Sequence, residues 1–287
     1  MNILIALLPA IGWGCMPLIT GKVGGSPVNQ IFGIGAGASI VGLIAYFITG
    51  VNTTPQAFLF SFVCGALWVI GQVGQFISFQ RMGVSNTIPL SSCFQLVGSS
   101  VFGVIFLGQW TSATAKLIGF AALILVVIGS LMTSMSDKKE GKKVQTKDVL
   151  LLLVTTVGYW IYSLFPQMPA VASQPAEAIF LPETLGILFG SVLYVIFSGN
   201  IKAFKQKEQY LNIIAGLSWG IAALAYVFSA KLNGVNMAFI FSQLNVIIGT
   251  FGGILILKEH KSKYEMKWTI LGIAFIVIGA ILTIFAK

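Results

Sequence analysis

The chain has 287 residues, of which 56% are hydrophobic and only 9% charged. That leaves too little polar surface for a water-soluble domain of this size and predicts an all-α polytopic membrane protein. The net charge of +9 does not point to nucleic acid, because the basic residues fall in short loops without interleaved aromatics, as membrane topology alone requires.

A spanning helix needs roughly 20 mostly apolar residues. In chain order that rule predicts ten, over 2–20, 28–49, 57–80, 84–107, 113–135, 148–166, 176–197, 209–230, 234–257 and 265–286. The first is read as a helix and not as a cleaved signal, since it has no basic leader. Turn residues such as Gly24-Gly25-Ser26-Pro27 and Asn52-Thr53-Thr54-Pro55 punctuate the short connections. The one clear linker is the lysine-rich segment 136–147. It divides the chain into 1–135 and 148–287, five spans each.

The two halves resemble one another at an offset near 150. Ser26-Pro27-Val28-Asn29-Gln30-Ile31-Phe32 parallels Gln174-Pro175-Ala176-Glu177-Ala178-Ile179-Phe180. Gly65-Ala66-Leu67-Trp68 parallels Gly216-Leu217-Ser218-Trp219, and Gly83-Val84-Ser85-Asn86 parallels Gly234-Val235-Asn236-Met237. Val127-Ile128-Gly129 likewise parallels Val277-Ile278-Gly279. With an odd number of spans per half, the second half is expected to sit upside down relative to the first, the arrangement of secondary transporters. Fourteen of the 17 basic residues fall on one side, which predicts a cytoplasmic linker and both termini outside. Nothing in the sequence sets an oligomeric state, and the internal repeat is compatible with a monomer. Gly33 and Gly37 on the second span, and Gly186 and Gly190 on the seventh, suit close helix packing.

Tryptophan normally collects at membrane interfaces, where Trp110 and Trp268 fall. Trp13, Trp68, Trp160 and Trp219 instead lie mid-span, either as core packing or as the lining of a cavity. Trp68, Gln72, Gln75 and Phe79 share one helical face. Gln95 lies mid-span with Ser92 and Ser99 beside it, and Gln243 and Asn245 lie at similar depth. Two readings stand for these amides: hydrogen bonds between helices, or partners for the hydroxyls of a neutral polyol whose ring the indoles would cover. No Lys, Arg or His lies mid-span, which leaves an anionic substrate without an evident counter-charge.

Glu177 at the start of the seventh span and Glu183 about two turns deeper are candidate proton carriers. The first could equally be a solvated helix terminus, and the second a neutral, hydrogen-bonded structural acid. Cys15, Cys64 and Cys93 stand far apart in apolar runs, and the single His260 has no companion ligand or nucleophile. No metal, cofactor or enzymatic activity is therefore expected.

Pro9-Ala10-Ile11-Gly12-Trp13-Gly14, the turn from Gly21 to Gly33, and Gln72-Val73-Gly74-Gln75 resemble the glucose/ribose uptake family of the drug/metabolite transporter superfamily. The resemblance runs over essentially the whole chain. It implies a ten-span bacterial plasma-membrane sugar permease, for glucose first and ribose second, driven by protons. It also implies a cavity among spans 1–4 and 6–9. The expected partners are thus a monosaccharide, a proton and the bilayer. The expected binding residues are Trp13, Trp68, Trp160, Trp219, Gln72, Gln75, Gln95, Gln243 and Asn245, with Asn29 and Gln30 near an inner gate. Two other readings remain open on the sequence: an exporter of drugs or amino-acid-like metabolites on the same scaffold, and a membrane sensor or assembly subunit that transports nothing.

Overall fold

The computed structural model describes residues 3–108, 110–135, 144–165, 168–233, 238 and 241–286. Helices α1 (Ile3–Val23), α2 (Pro27–Thr49), α3 (Pro55–Met82), α4 (Val84–Leu107) and α5 (Ala113–Thr133) form the first half of the chain. They are followed by α6 (Thr146–Thr155), α7 (Val157–Leu164), α8 (Ala176–Phe197), α9 (Lys207–Leu211), α10 (Ile213–Asn233), α11 (Asn245–Leu255) and α12 (Lys263–Thr283). A short 3-10 turn, Ile201–Lys205, precedes α9.

Among the described residues every regular element is helical, and nine stretches are long and apolar enough to cross a membrane. Two of the nine are broken once: 146–164 at Thr156 between α6 and α7, and 207–229 at Asn212 between α9 and α10. The ninth expected span begins outside the described residues, and the helix described within it, α11, has 11 residues. Most of the expected linker, 136–143, also lies outside them. The helices begin where the chain supplies caps. Pro55 opens α3 with Thr54 Oγ1 accepting from the Ala57 N–H, and Ser112 does the same for Ala115 at α5. Gly83, at φ 85°, separates α3 from α4 without a longer loop.

The helices pack reciprocally. α2 lies against α8 and α10, α3 against α8 and α6–α7, α1 against α10 and α11, and α5 against α12. Small residues bring these axes together. Gly33 and Gly37 face α10 at Asn212–Leu217, while Gly186 and Gly190 face α3 at Phe62–Val69. A Cβ built on Gly129 of α5 would stand 2.5 Å from the Gly272 carbonyl oxygen, and one on Gly279 of α12 would stand 2.7 Å from that of Ala122. The main core runs through α1–α4, α7, α8 and α10–α12, around Trp68, Phe76 and Trp219. The outer faces of α5 and α12 carry exposed Leu117, Ile124, Leu131, Ile270 and Ile278, as a lipid-facing surface requires.

The basic ends of the helices are tied to one another. Arg81, closing α3, bonds Asp148 in the first turn of α6 at 3.0 Å. At the opposite face Thr53 Oγ1 donates to Gln174 Oε1 at 3.1 Å, joining the loops before α3 and α8.

Candidate functional site

The mid-span aromatic and amide residues of the sequence largely converge. Trp68 of α3 and Trp219 of α10 meet with ring centroids 4.8 Å apart, and at 3% and 5% exposure they pack the centre shut. Tyr159 and Tyr162 of α7 lie against Trp68, at 5.8 and 6.2 Å. Trp13 of α1 meets Tyr226 of α10 at 5.7 Å, and its indole nitrogen is buried without an acceptor among the described residues. Trp160 faces elsewhere. Its ring covers Gly98 of α4 beside Phe102, its Nε1–H donates to the Phe94 carbonyl at 2.9 Å, and it floors an apolar groove of about 440 Å³ between α4–α5 and α6–α7.

The amides of α3 and α4 form one chain, buried except at half-buried Gln95. The Tyr159 hydroxyl donates to Gln72 Oε1 at 2.8 Å and lies 3.3 Å from Gln75 Oε1. Gln72 Nε2 donates to Gln75 Oε1 at 3.1 Å, and Gln75 Nε2 donates to Ser91 Oγ at 2.8 Å. Gln95 Nε2 donates to the same Ser91 Oγ at 3.0 Å. Ser99, beside Gln95 in the sequence reading, donates to the Gln95 carbonyl and meets Ser163 Oγ at 2.9 Å. Sequence reasoning had no sign of Tyr159, 87 residues from Gln72 and 84 from Gln75, or of Ser91 as the partner of Gln75 on the neighbouring helix. Gln243 and Asn245 are half-buried at the turn that opens α11, where Gln243 Nε2 reaches Ser242 Oγ only at 3.5 Å.

Asn29 and Gln30 sit in a separate polar cluster at the basic end of α2. Asn29 Oδ1 accepts from Ser26 N and Ser26 Oγ, both at 2.8 Å, which caps α2. Its Nδ2 donates to Gln206 Oε1 at 2.8 Å and Gln209 Oε1 at 3.2 Å, so it also joins α2 to α9. Gln30 Nε2 reaches the Thr20 carbonyl of α1 at 3.4 Å.

Of the two acids, Glu177 is half-buried in the first turn of α8. Glu183 is 8% exposed and lies close to Tyr162 of α7 and Cys64 of α3. Tyr162 therefore lies beside both Trp68 and Glu183.

A further charged cluster, at the basic face, was not singled out by the sequence. Glu259 accepts from the backbone N–H groups of Val84 at 2.6 Å and Ser85 at 2.8 Å, capping α4 from 175 residues away. Lys261 Nζ donates to Asn86 Oδ1, the Thr133 carbonyl and Thr269 Oγ1, at 2.8, 3.0 and 3.0 Å. Burial lowers the Lys261 pKa to about 8, against the opposing pull of Glu265 and Glu259. These groups border a pocket of about 360 Å³ that also takes in His260 and Phe79. Every Lys261 proton is engaged, so the cluster acts as a clamp between α4, α5 and α12. No group of three or more His, Cys, Asp or Glu able to hold a metal occurs among the described residues.

Residues 4–286 match the Sugar_transport family, described as "Sugar transport protein". A "Putative sugar uptake protein" of Lactobacillus helveticus is 47% identical over 98% of this chain and 99% of its own length. A "Putative ribose uptake protein RbsU" of Latilactobacillus sakei is 40% identical over 100% and 99%. A solved crystal structure aligns with a TM-score of 0.64 over 99% of this chain and 98% of its own, at 15% identity, a likeness of fold. With its bacterial relatives and its many apolar helices, the chain is a multi-pass membrane protein, and it belongs to the sugar transport protein family.

Proposed function

We propose that the chain is a ten-span secondary transporter that takes up a monosaccharide across the bacterial plasma membrane by alternating access. Glucose is the first candidate. Ribose is the second, and several relatives carry it in their names. The span beyond the nine is the expected 234–257, which contains α11. The two halves, 1–135 and 148–287, form inverted repeats joined by a cytoplasmic linker at 136–147, with both termini outside. Reciprocal packing supports this: α2 on α10 mirrors α3 on α8, and the Gly129–Gly272 contact mirrors Ala122–Gly279.

The observation that carries the sugar reading is the junction of the Trp68–Trp219 pair with the Tyr159–Gln72–Gln75–Ser91–Gln95 chain. It combines flat apolar faces with uncharged donors and acceptors at mid-span, the chemistry that recognises a pyranose or furanose ring. Trp68, Trp219 and Trp13 supply the faces, the last with an unpaired indole N–H. Gln72, Gln75 and Gln95 bind hydroxyls, and Gln243 and Asn245 complete the set from α11. The packed centre is the closed form, and opening parts Trp68 from Trp219. Glu183, close to Tyr162 beside Trp68, carries the coupling proton, with Glu177 one to two turns nearer the outer surface as its entry point.

The test is uptake of labelled glucose and ribose into proteoliposomes with and without an inward proton gradient. Gln75→Leu should raise the half-saturating sugar concentration about tenfold, and Glu183→Gln should abolish gradient-driven accumulation while sparing exchange. Unchanged affinity in the first would make the amides helix glue. Accumulation retained by both Glu183→Gln and Glu177→Gln would remove the proton assignment.

A further inference from the structure

We propose that Tyr159 is a specificity-determining positioning residue: its hydroxyl, reaching α3 from α7, fixes which way the Gln72 and Gln75 carboxamides face. The proposal rests on the reading that these amides bind sugar hydroxyls. A carboxamide has an acceptor on one side and donors on the other, and its two orientations have almost the same shape. An amide free to turn over can meet a hydroxyl either way, and so discriminates poorly between sugars that differ at one carbon.

Here neither amide can turn over by itself, and turning both together would leave the Tyr159 hydroxyl proton facing amide N–H groups. Tyr159 donates to Gln72 Oε1, which directs Gln72 Nε2 at Gln75 Oε1 and in turn Gln75 Nε2 at Ser91 Oγ. Reversing either amide alone would set oxygen against oxygen or nitrogen against nitrogen. Gln95 Nε2 closes the far end on the same Ser91 Oγ. The remaining N–H of Gln72 and of Gln75 is thereby held as a donor in a fixed place, and a ligand must offer an acceptor there.

The phenol is itself held tightly. A Cβ built on Gly158 would stand 2.6 Å from the Leu67 carbonyl, so α7 touches the α3 backbone at that point. The Tyr159 ring lies over Gly71, whose built Cβ would be 2.9 Å from it, with its edge toward Trp68 at 5.8 Å. The ring is 6% exposed, leaving its hydroxyl directed at the two glutamines. One side chain thus touches both the indole platform and the amides, which lets it set ring position and hydroxyl polarity together.

The experiment uses the full-length protein in proteoliposomes, with counterflow of labelled D-glucose and D-ribose. The competitors are D-mannose, D-galactose, 2-deoxy-D-glucose, D-arabinose and 2-deoxy-D-ribose. Tyr159→Phe keeps the ring and removes the O–H. Its ratio of apparent affinities between the better sugar and its epimers should fall about tenfold, while counterflow of the better sugar persists. A purely structural tyrosine would weaken all sugars by one factor or reduce the folded protein, leaving that ratio unchanged, and such a result overturns the proposal. If Tyr159→Phe does not accumulate, Ser91→Ala opens the chain at its other end, and an unaltered ratio there overturns it equally. Gln75→Leu separates this claim from its foundation. If it weakens every sugar while Tyr159→Phe keeps the ratio, only the role of Tyr159 falls. If it changes nothing, or the wild type moves neither sugar, the amide site falls and Tyr159 with it.

Discussion

Removing the Glu259 carboxylate should loosen the junction between α4 and the loop before α12, and the loss can be sized from the contacts. Both carboxylate oxygens accept first-turn N–H groups of α4, at 2.6 and 2.8 Å. Gly83 and Gly253 cradle the group, and a Cβ at either would approach a carboxylate oxygen to 3.0 Å. A hydrogen bond to a charged group stabilises by about 1.5–3 kcal/mol, and a helix cap by about 0.5–2. The adjoining pocket of about 360 Å³ admits water to the bared N–H groups, which sets the loss for Glu259→Ala at the low end, about 2 kcal/mol. For a chain of this length that corresponds to a fall of roughly 4 °C in the thermal midpoint. Glu259→Gln keeps one acceptor but turns an NH2 group toward the second backbone donor, so its midpoint should lie between those of Ala and the wild type. Buried Cys64 and Cys93 provide the assay, because a thiol-reactive dye reports their exposure as detergent-purified protein is heated. A midpoint for Glu259→Ala within about 1 °C of wild type would show that the contact contributes nothing net.

Lys261 gives a pH dependence of definite sign. Its pKa is lowered from 10.5 to about 8, so between those values the unfolded chain holds more protons and folded stability rises with pH. Measured against Lys261→Met at each pH, the wild-type midpoint should climb from pH 7.5 to 10, by at most about 3 kcal/mol in free energy; a falling difference would mean that its three hydrogen bonds outweigh burial. Glycine substitutions separate close helix contact from spare room. Gly65→Ala drives a methyl into the Glu183 backbone and should cost more than about 3 kcal/mol, seen as loss of the monodisperse peak. Gly249→Ala meets only the flexible Ile88 side chain at 3.3 Å and should stay within about 1 kcal/mol of wild type; equal behaviour of the two would refute the packing argument.

Much of the fold was legible because its punctuation is local. Gly83 and Gly108, both at positive φ, bracket α4 at the expected 84–107, and Pro175 leads into α8 at the expected 176–197. The break at Thr156 was not legible. Hydropathy runs through it unchanged, and the turn is marked only by the Thr156 N–H being shared between the Leu152 and Leu153 carbonyls while its hydroxyl also donates to Leu152. The polar residues divide in the same way. A buried amide in a membrane is tolerated only where something satisfies it, and its sequence position does not say what. Asn29 and Gln75 are both amides in apolar surroundings. Asn29 finds Ser26 three residues away and becomes a cap, whereas Gln75 finds Ser91 and a tyrosine 84 residues distant and becomes part of a chain. The helical face shared by Trp68, Gln72 and Gln75 could be counted from spacing. Its partner on α7 could be marked only by the small residues that admit it, Gly71 opposite and Gly158 beside Tyr159. Those glycines separate the two amides more sharply than polarity does, because close backbone approach at mid-span is what brings a phenol from one half of the chain onto the glutamines of the other.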